Sequence, residues 1–156
     1  MREASKSEEL SLDSAASHLL EECRMVLPGI QALFGFQLIA VFNQNFGESL
    51  SRGEQKLHFV AIVLVVISIA LVMAPAAIHR LRDPFTISNN FVSLASRLLL
   101  FSMAPLAISL CLDVYLVGRV IFEWVKLAVG VSSFLLFLFF SLWLVLPKAG
   151  GKLRKF

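Results

Sequence analysis

Three glutamine side chains interrupt the first apolar stretch of the sequence. Gln31 and Gln37 lie inside a run of 22 residues without a formal charge, from Met25 to Phe46, and Gln44 lies near its end. Lipid tails offer no hydrogen-bond partner to an amide, so each glutamine is expected to face protein, water or another amide. These side chains are the first candidates for a polar path through a membrane.

The glutamines share a helical stripe with apolar residues. Ile30, Leu33, Gln37, Ala40 and Gln44 are alternately three and four positions apart, which places them on one helix face. If this stripe lines a symmetry axis, its amides form stacked polar rings, and Ile30 and Leu33 form an apolar constriction. The alternative is that Gln37 bonds to a neighbouring helix within one subunit.

Four charged residues near the ends of the last two apolar runs form a second candidate site: Asp113, Arg119, Glu123 and Lys126. Their formal charges sum to zero, so one interpretation is a structural ion-pair network. The functional alternative makes Asp113 a site for a proton or a cation, with Lys126 or Arg119 as its exchanging partner. The position of Asp113 near the edge of its span favours the structural network, because a transport site would need ionisable groups closer to the membrane midplane.

A third group of ionisable residues is predicted at the opposite membrane face: Glu22, Arg24, His79, Arg80 and Arg97. Neighbouring cations disfavour protonation of the His79 imidazole, whereas the acids of the first helix favour it. The group is therefore either a pH sensor at the inner face or a set of interfacial anchors.

Four apolar runs must position these side chains. The chain of 156 residues is 58% hydrophobic and only 16% charged, with a mean hydropathy of +0.80, which is too apolar for a soluble domain. Each run is long enough to cross a hydrocarbon core of about 30 Å. The predicted fold is an all-α integral membrane bundle of four transmembrane helices, at about 25–46, 57–78, 90–117 and 121–146.

The two ends of the chain differ from this transmembrane domain, 25–147. Residues 1–24 are acidic, and Leu12, Ala16, Leu19 and Cys23 repeat at helical spacing, which predicts a cytosolic amphipathic helix. Pro28 is expected to kink or break the helix at the membrane surface. The basic tail, 148–156, is expected to bind anionic lipid or the acidic N-terminal helix.

The distribution of basic residues predicts the orientation. Four spans put both termini on one side, which collects nine Lys and Arg, against three in the opposite loops, Arg52, Lys56 and Arg119. By the positive-inside rule, both termini are cytoplasmic.

Other classes of protein find little support in the sequence. We identify no nucleophile–base–acid set, phosphate loop or CxxC motif, so an enzyme is not predicted, and no catalytic residue or cofactor is expected. His18 and Glu21 have helical ligand spacing but are too few to hold a metal. The net charge of +3 is too small to indicate nucleic-acid binding.

The chain resembles the small bacterial four-helix membrane proteins grouped as DUF6328. The resemblance rests on Glu22-x-Arg24, Leu27-Pro28-Gly29-x-Gln31-x-Leu33-Phe34-x-Phe36, Ala74-Pro75-x-x-x-His79-Arg80, Arg97 and Asp113. It covers roughly residues 20 to 115, and the fourth run matches only in being apolar. The resemblance implies four spans and a bacterial inner (plasma) membrane location, and it adds no mechanism.

Two functions remain open. The first is a homo-oligomeric channel or transporter for a small monovalent cation or a proton, with the first helix lining the path. We expect a homo-oligomer because the amide stripe exceeds what a four-helix monomer needs for packing. The alternative is a non-transporting membrane scaffold or regulator that binds a partner through its N-terminal helix. A water-filled path along Gln37 favours the first, and an exposed apolar stripe on residues 12–23 favours the second.

Overall fold

The computed structural model describes residues 2–82, 88–122 and 124–145, and within these ranges the chain is helical without a strand. The helices are α1 (Arg2–Phe42), α2 (Phe46–Ser49), α3 (Arg52–Arg82), α4 (Asn89–Ile121) and α5 (Val125–Phe140), which continues as a π-helical turn over Ser141–Val145. All but α2 are long and apolar enough to cross a membrane. The predicted all-α chain with four such helices is confirmed, while Glu123 and the basic tail lie outside the described residues.

Helix α1 runs without a break through Pro28, so the break expected at this position does not occur. A proline inside a helix removes one backbone hydrogen bond and costs about 3 kcal/mol. Side chains on both sides of Pro28 are buried, with Ala16 at 1% and Ile30 at 4% exposure. Packing on each side of the proline therefore holds α1 as one helix.

The end of α1 differs from the sequence prediction for a local reason. The carbonyl oxygen of Asn43 accepts a hydrogen bond from the backbone N–H of Phe46, and its side-chain oxygen accepts one from the N–H of Asn45. Asparagine side chains commonly stabilise such turns. The helix consequently ends at Phe42, before the uncharged run itself ends at Phe46.

Helix α3 buries one regular stripe. The buried residues follow each other at spacings of four and three: Glu54, His58, Ala61, Val65, Ser68, Val72 and Pro75. Helix α4 buries mainly small residues: Ala95, Ser102, Ala107, Ser109, Cys111 and Gly118. Small residues let two helix backbones approach closely, which is the usual way that apolar helices associate in lipid.

The chain divides into two compact units. The first contains Met1–Ile39 and Val65–Pro105. Within it, the Ser68 hydroxyl donates to the backbone carbonyl oxygen of Ser102 at 2.8 Å. Ser102 in turn donates to the carbonyl oxygen of Leu99, one turn earlier on α4. In this unit, α3 and α4 are thus joined by a buried hydrogen bond as well as by packing.

The second unit contains Ala40–Leu64 and Leu106–Phe156. Here the bond runs in the opposite direction, because Ser109 of α4 donates to the carbonyl oxygen of Ala61 on α3 at 3.0 Å. Both residues are fully buried. This unit also holds the beginning of α3, the end of α4 and all described residues of α5.

Gly118 and Arg119 lie inside α4, whereas the predicted spans, 90–117 and 121–146, leave them in the connection between the third and fourth helices. The helix continues to Ile121, and Gly118 is buried. A Cβ on Gly118 would stand 3.0 Å from the Cβ of Ala128 on α5. The glycine therefore serves close helix packing rather than a turn.

Candidate functional site

The site lies in the second unit and begins at the first turn of α3. The hydroxyl and the backbone N–H of Ser51 both donate to Oε2 of Glu54, at 2.7 and 2.9 Å, and Ser51 Oγ accepts from the N–H of Glu54. This reciprocal arrangement is a capping box, which satisfies two backbone donors at a helix start. It fixes the Glu54 carboxylate at the end of α3.

The other carboxylate oxygen of Glu54 binds a residue from the end of α4. The guanidinium Nε of Arg119 donates to Glu54 Oε1 at 2.7 Å. The Glu54 side chain is 10% exposed and that of Arg119 is 29% exposed. Glu54 therefore has two structural tasks: it caps α3 and ties the beginning of α3 to the end of α4.

A second ionisable pair lies further into the same helices, one turn after Glu54 on α3 and nearly two turns before Arg119 on α4. Nδ1 of His58 on α3 is 3.8 Å from Oδ1 of Asp113 on α4, with side-chain exposures of 8% and 19%. This distance is within the range of an ion pair and longer than a hydrogen bond. The His58 ring also packs against the ring of Phe46 on α2, with 5.2 Å between centroids. The imidazole is thus held between an aromatic ring and a carboxylate.

Asp113 also borders a groove. This groove has a volume of about 270 Å³, and its lining includes Asp113, Val117, Gly118, Phe122, Ala128 and Val131. Among the described residues that line it, Asp113 alone carries a charged side chain. Asp113 is therefore beside His58 and is also part of the wall of a groove that is otherwise apolar.

The two pairs differ in what they can do chemically. Arginine stays protonated at every physiological pH, and Glu54 accepts its guanidinium hydrogen bond, so this pair is a fixed structural contact. Histidine, by contrast, changes its charge between pH 5 and 8 as a residue type. His58 therefore gives the second pair a base that can take up or release a proton, whereas Arg119 keeps its charge.

Two members of the predicted charge network, Asp113 and Arg119, contact residues that do not belong to that network. Arg119 pairs with Glu54, and the ionisable side chain recorded beside Asp113 is His58. Lys126 is exposed on α5, and Glu123 lies outside the described residues. The predicted network joins residues that are close along the chain. The two recorded pairs instead join α3 to α4, which lie side by side in this unit.

The residues of the α1 stripe do not share one environment. Ile30 and Gln37 are each 4% exposed, Leu33 is half-buried, and Gln31 and Gln44 are exposed. Ile30 and Gln37 are therefore buried inside the chain itself. The stripe does not form one exposed face of the subunit.

The group predicted at the opposite face is mostly exposed: Glu22, Arg24, Arg80 and Arg97. His79 is half-buried, and its ring lies 5.5 Å from that of Phe91, measured between centroids. The structure thus gives His79 an aromatic neighbour, while the charged members of the group point outward.

Sequence reasoning missed Glu54 and His58. The signal for Glu54 was present, because Ser51-x-x-Glu54 directly before an apolar run is the pattern of a capping box. His58 follows Glu54 by four positions and is the second residue of the buried stripe of α3. The predicted second span, 57–78, leaves Glu54 outside and includes His58 without giving it a role.

In its described residues the protein is helical, with four helices long and apolar enough to span a membrane, and two of these helices carry an ionisable pair of a buried His58 and a half-buried Asp113. The family of unknown function DUF6328 matches the chain over residues 5–147, so the chain belongs to this family. No curated protein and no solved structure matches the chain.

Proposed function

We propose that this protein is a multi-pass protein of the bacterial inner membrane that exchanges a proton for a small monovalent cation at the His58–Asp113 pair. The observation that carries the proposal is the pair itself, with 3.8 Å between Nδ1 and Oδ1 and side-chain exposures of 8% and 19%. Ionisable groups within membrane helices cost about 3 kcal/mol each to insert and are retained mainly where function needs them.

The exchange follows from charge. A cation is attracted to the Asp113 carboxylate while the neighbouring imidazole is neutral. When His58 takes up a proton, the pair becomes neutral and its attraction for a cation falls. Proton binding and cation binding therefore compete, and this competition is what coupled exchange requires.

In this proposal, the nearby Glu54–Arg119 ion pair permanently holds the beginning of α3 against the end of α4. Glu54 precedes His58 by one turn, about 6 Å along α3, and Arg119 follows Asp113 by about 9 Å along α4. The ion pair consequently lies between the His58–Asp113 pair and these helix ends. We propose that it keeps the two helix ends together while the cation enters through the groove beside Asp113.

The path along α1 has weaker support. An amide buried inside its own subunit, as Gln37 is at 4% exposure, is more typical of interhelical packing than of a pore lining. We propose that α1 packs the bundle. Leu33→Asn in reconstituted protein distinguishes the two roles, because an α1 pore would become leaky to ions once its apolar constriction is wetted.

The scaffold alternative requires an apolar stripe that is available to a partner. In residues 12–23, Ala16 is buried, and Leu12, Leu19 and Cys23 are half-buried within the chain. This burial favours transport over a scaffold that binds through the N-terminal helix.

The remaining features of the proposal come from the sequence. Both termini are assigned to the cytoplasm by the basic residues, and the basic tail to anionic lipid. The assembly is proposed to be a homo-oligomer, which a mass measurement of the purified protein in nanodiscs tests directly.

The proposal is tested in liposomes that contain a pH-sensitive dye. A proton gradient is imposed, and the dye reports proton release when external Na⁺, K⁺ or an organic ammonium ion is added. We expect cation-dependent proton movement with the wild-type chain, and its loss in Asp113→Asn and in His58→Gln.

Two substitutions serve as matched controls. Glu48→Gln removes an exposed carboxylate, and His18→Gln removes an exposed imidazole, so both should keep wild-type activity. If Asp113→Asn and His58→Gln transport like the wild type, or if the wild-type chain moves no protons with any cation, the proposed exchange is wrong.

A further inference from the structure

Helix α1 carries a second stripe of residues, rotated around the helix from its buried side chains. Its members follow each other at spacings of three and four and are exposed or half-buried: Glu21, Arg24, Pro28, Gln31, Gly35 and Leu38. We call these residues the Gln31 face. Ile30 and Gln37, each 4% exposed, lie about a third of a turn around the helix from Gln31. One side of α1 therefore packs within the chain, and a different side is exposed.

Gln31 places an amide near the middle of an apolar helical segment. The part of α1 without a formal charge, residues 25–42, is about 27 Å long, and Gln31 lies about 4 Å from its centre. Among the described residues, none bonds to the Gln31 side chain. If α1 crosses a membrane as proposed, lipid tails offer this amide no hydrogen-bond partner, and leaving it without one is unfavourable.

We propose that the Gln31 face is the interface of a parallel homodimer, in which the two Gln31 amides bond to each other across a twofold axis. An amide carries both donors and an acceptor, so a second copy of the same side chain supplies both missing partners. A twofold axis along the membrane normal brings identical residues together and keeps both copies in one orientation. The inference rests on the proposed membrane insertion and homo-oligomer, and it names the surface that joins the subunits.

Gly35 allows the close approach that this bond needs. It follows Gln31 by one turn on the same face, and a Cβ at this position would have no atom of the chain within 4 Å. Packing within the subunit therefore does not require a glycine here. In membranes, small residues let two helix backbones come close enough for hydrogen bonds between side chains. Gly35 thus fits a contact with a second helix.

The charges at the beginning of the Gln31 face are complementary between two copies. Glu21 and Arg24 are consecutive members of the face, and both are exposed. In a parallel pair of α1 helices, Glu21 of one copy lies one layer away from Arg24 of the other. Seams of this spacing occur in coiled coils, where charged residues select the partner and a polar residue within the seam fixes the register. Gln31 would fix the register in the same way.

Dimerisation is measured by energy transfer between two fluorescently labelled populations of the full-length chain. The populations are reconstituted together in liposomes at increasing ratios of lipid to protein. We expect Gln31→Leu to raise the dissociation constant about fivefold to tenfold, because each dimer loses two interhelical hydrogen bonds. Gly35→Ile should raise it at least as much, because the larger side chain separates the two helices.

Two substitutions serve as matched controls. Gln44→Leu removes an exposed amide that lies beyond the end of α1. Gly29→Ile enlarges an exposed glycine that lies nearly half a turn around α1 from Gln31. A Cβ on Gly29 would also have no atom of the chain within 4 Å, so this variant should fold. Both controls should dimerise like the wild type.

A disulfide experiment locates the face independently. In a background without Cys23 and Cys111, Leu38→Cys should form a covalent dimer when copper phenanthroline is added as the oxidant. The reason is that a position at a twofold interface lies close to its own copy, within the short reach of a disulfide. Phe36→Cys replaces a side chain that is 71% exposed on nearly the opposite side of α1, and it should stay monomeric under the same oxidation.

These measurements use no ion gradient, so their outcomes are separate from the exchange at the His58–Asp113 pair. A wild-type dimer that both Gln31→Leu and Gly35→Ile leave unchanged refutes this interface and retains the homo-oligomer. Equal weakening by Gly29→Ile also refutes it, and a wild-type chain that stays monomeric at every lipid ratio refutes interface and homo-oligomer together. Weaker dimerisation of Gln31→Leu with wild-type proton movement supports the interface and leaves the exchange standing.

Discussion

Gly118 of α4 lies against Ala128 of α5, and a Cβ on Gly118 would be 3.0 Å from the Cβ of Ala128. Such a distance is tolerated only while one of the two residues is glycine. The contact forms the floor of the groove beside Asp113, so the shape of the candidate site depends on it directly.

Gly118→Ala should destabilise the protein by about 1–2 kcal/mol, because an added methyl group in a tight helix contact forces the helices apart. Ala128→Gly removes the opposing methyl group, and the next atom, Cα, is 3.4 Å away. The double substitution should therefore recover most of the loss in thermal stability in detergent. If Gly118→Ala melts like the wild type, the close contact is not present in solution.

Arg119→Gln should lower the stability, because it removes the guanidinium that binds the Glu54 carboxylate. The Glu54 side chain is only 10% exposed, so water cannot fully replace the lost guanidinium beside its carboxylate. Arg52→Gln is the control, since Arg52 is exposed. The measurement is the midpoint of thermal unfolding, and equal midpoints for both variants would contradict a structural role for the pair.

Ser51→Ala should cost about 1 kcal/mol, which is typical for the loss of an N-cap. The substitution removes the hydroxyl that contacts both the carboxylate and the N–H of Glu54. Ser49→Ala, at an exposed position, should be neutral. A hydrogen-exchange experiment should show faster exchange in the first turn of α3 for Ser51→Ala alone, and unchanged exchange there would refute the cap.

Ser109→Ala should cost about 0.6 kcal/mol, the average for interhelical hydrogen bonds within membranes. Ser109→Leu should cost more, because the residue is fully buried and a larger side chain has to push α3 away. Ser133→Ala on the exposed face of α5 is the matched control. Equal tolerance of alanine and leucine at position 109 would show that the helices are not packed closely there.

The proposed orientation predicts opposite labelling of two exposed positions. Single cysteines replacing Asp13 and Glu48, in a background without Cys23 and Cys111, should react with an impermeant thiol reagent from opposite sides of the membrane. The Asp13 position should be protected in intact cells and react after the membrane is opened. Reaction of both positions from the same side would rule out the proposed topology.

The sequence predicts the four long helices well, because uncharged runs are a strong signal for helices of this kind. Their ends are predicted less well, since each depends on a local contact. The span expected from 57 begins at Arg52, where Ser51 and Glu54 form the cap. Helix α4 begins after Ser88, whose hydroxyl accepts from the N–H of Phe91. Both caps can be predicted from a Ser near the helix start. A search for uncharged runs alone does not find them.

The site is predicted only in part, for a different reason. Asp113 stands out because it is an acid within an apolar run. Its neighbour His58 lies 55 positions away along the chain, and Glu54 reaches Arg119 from the other end of the same helix pair. Spacing within one helix says nothing of the rotation of another helix against it. A single sequence therefore suggests which residues carry charge and leaves their pairing open.

The two hydroxyl bonds between α3 and α4 also bear on biosynthesis. Ser68 donates from α3 to α4, and Ser109 donates from α4 to α3. Each helix therefore supplies one hydroxyl donor and one carbonyl acceptor. The helices are consecutive long segments, and if they insert into a membrane as proposed, lipid tails offer these hydroxyl groups no competing acceptor. We therefore expect the nascent chain to form this hairpin as soon as α4 leaves the translocon. The helix α1, which is synthesised earlier, and the helix α5, which is synthesised later, would then pack onto this hairpin.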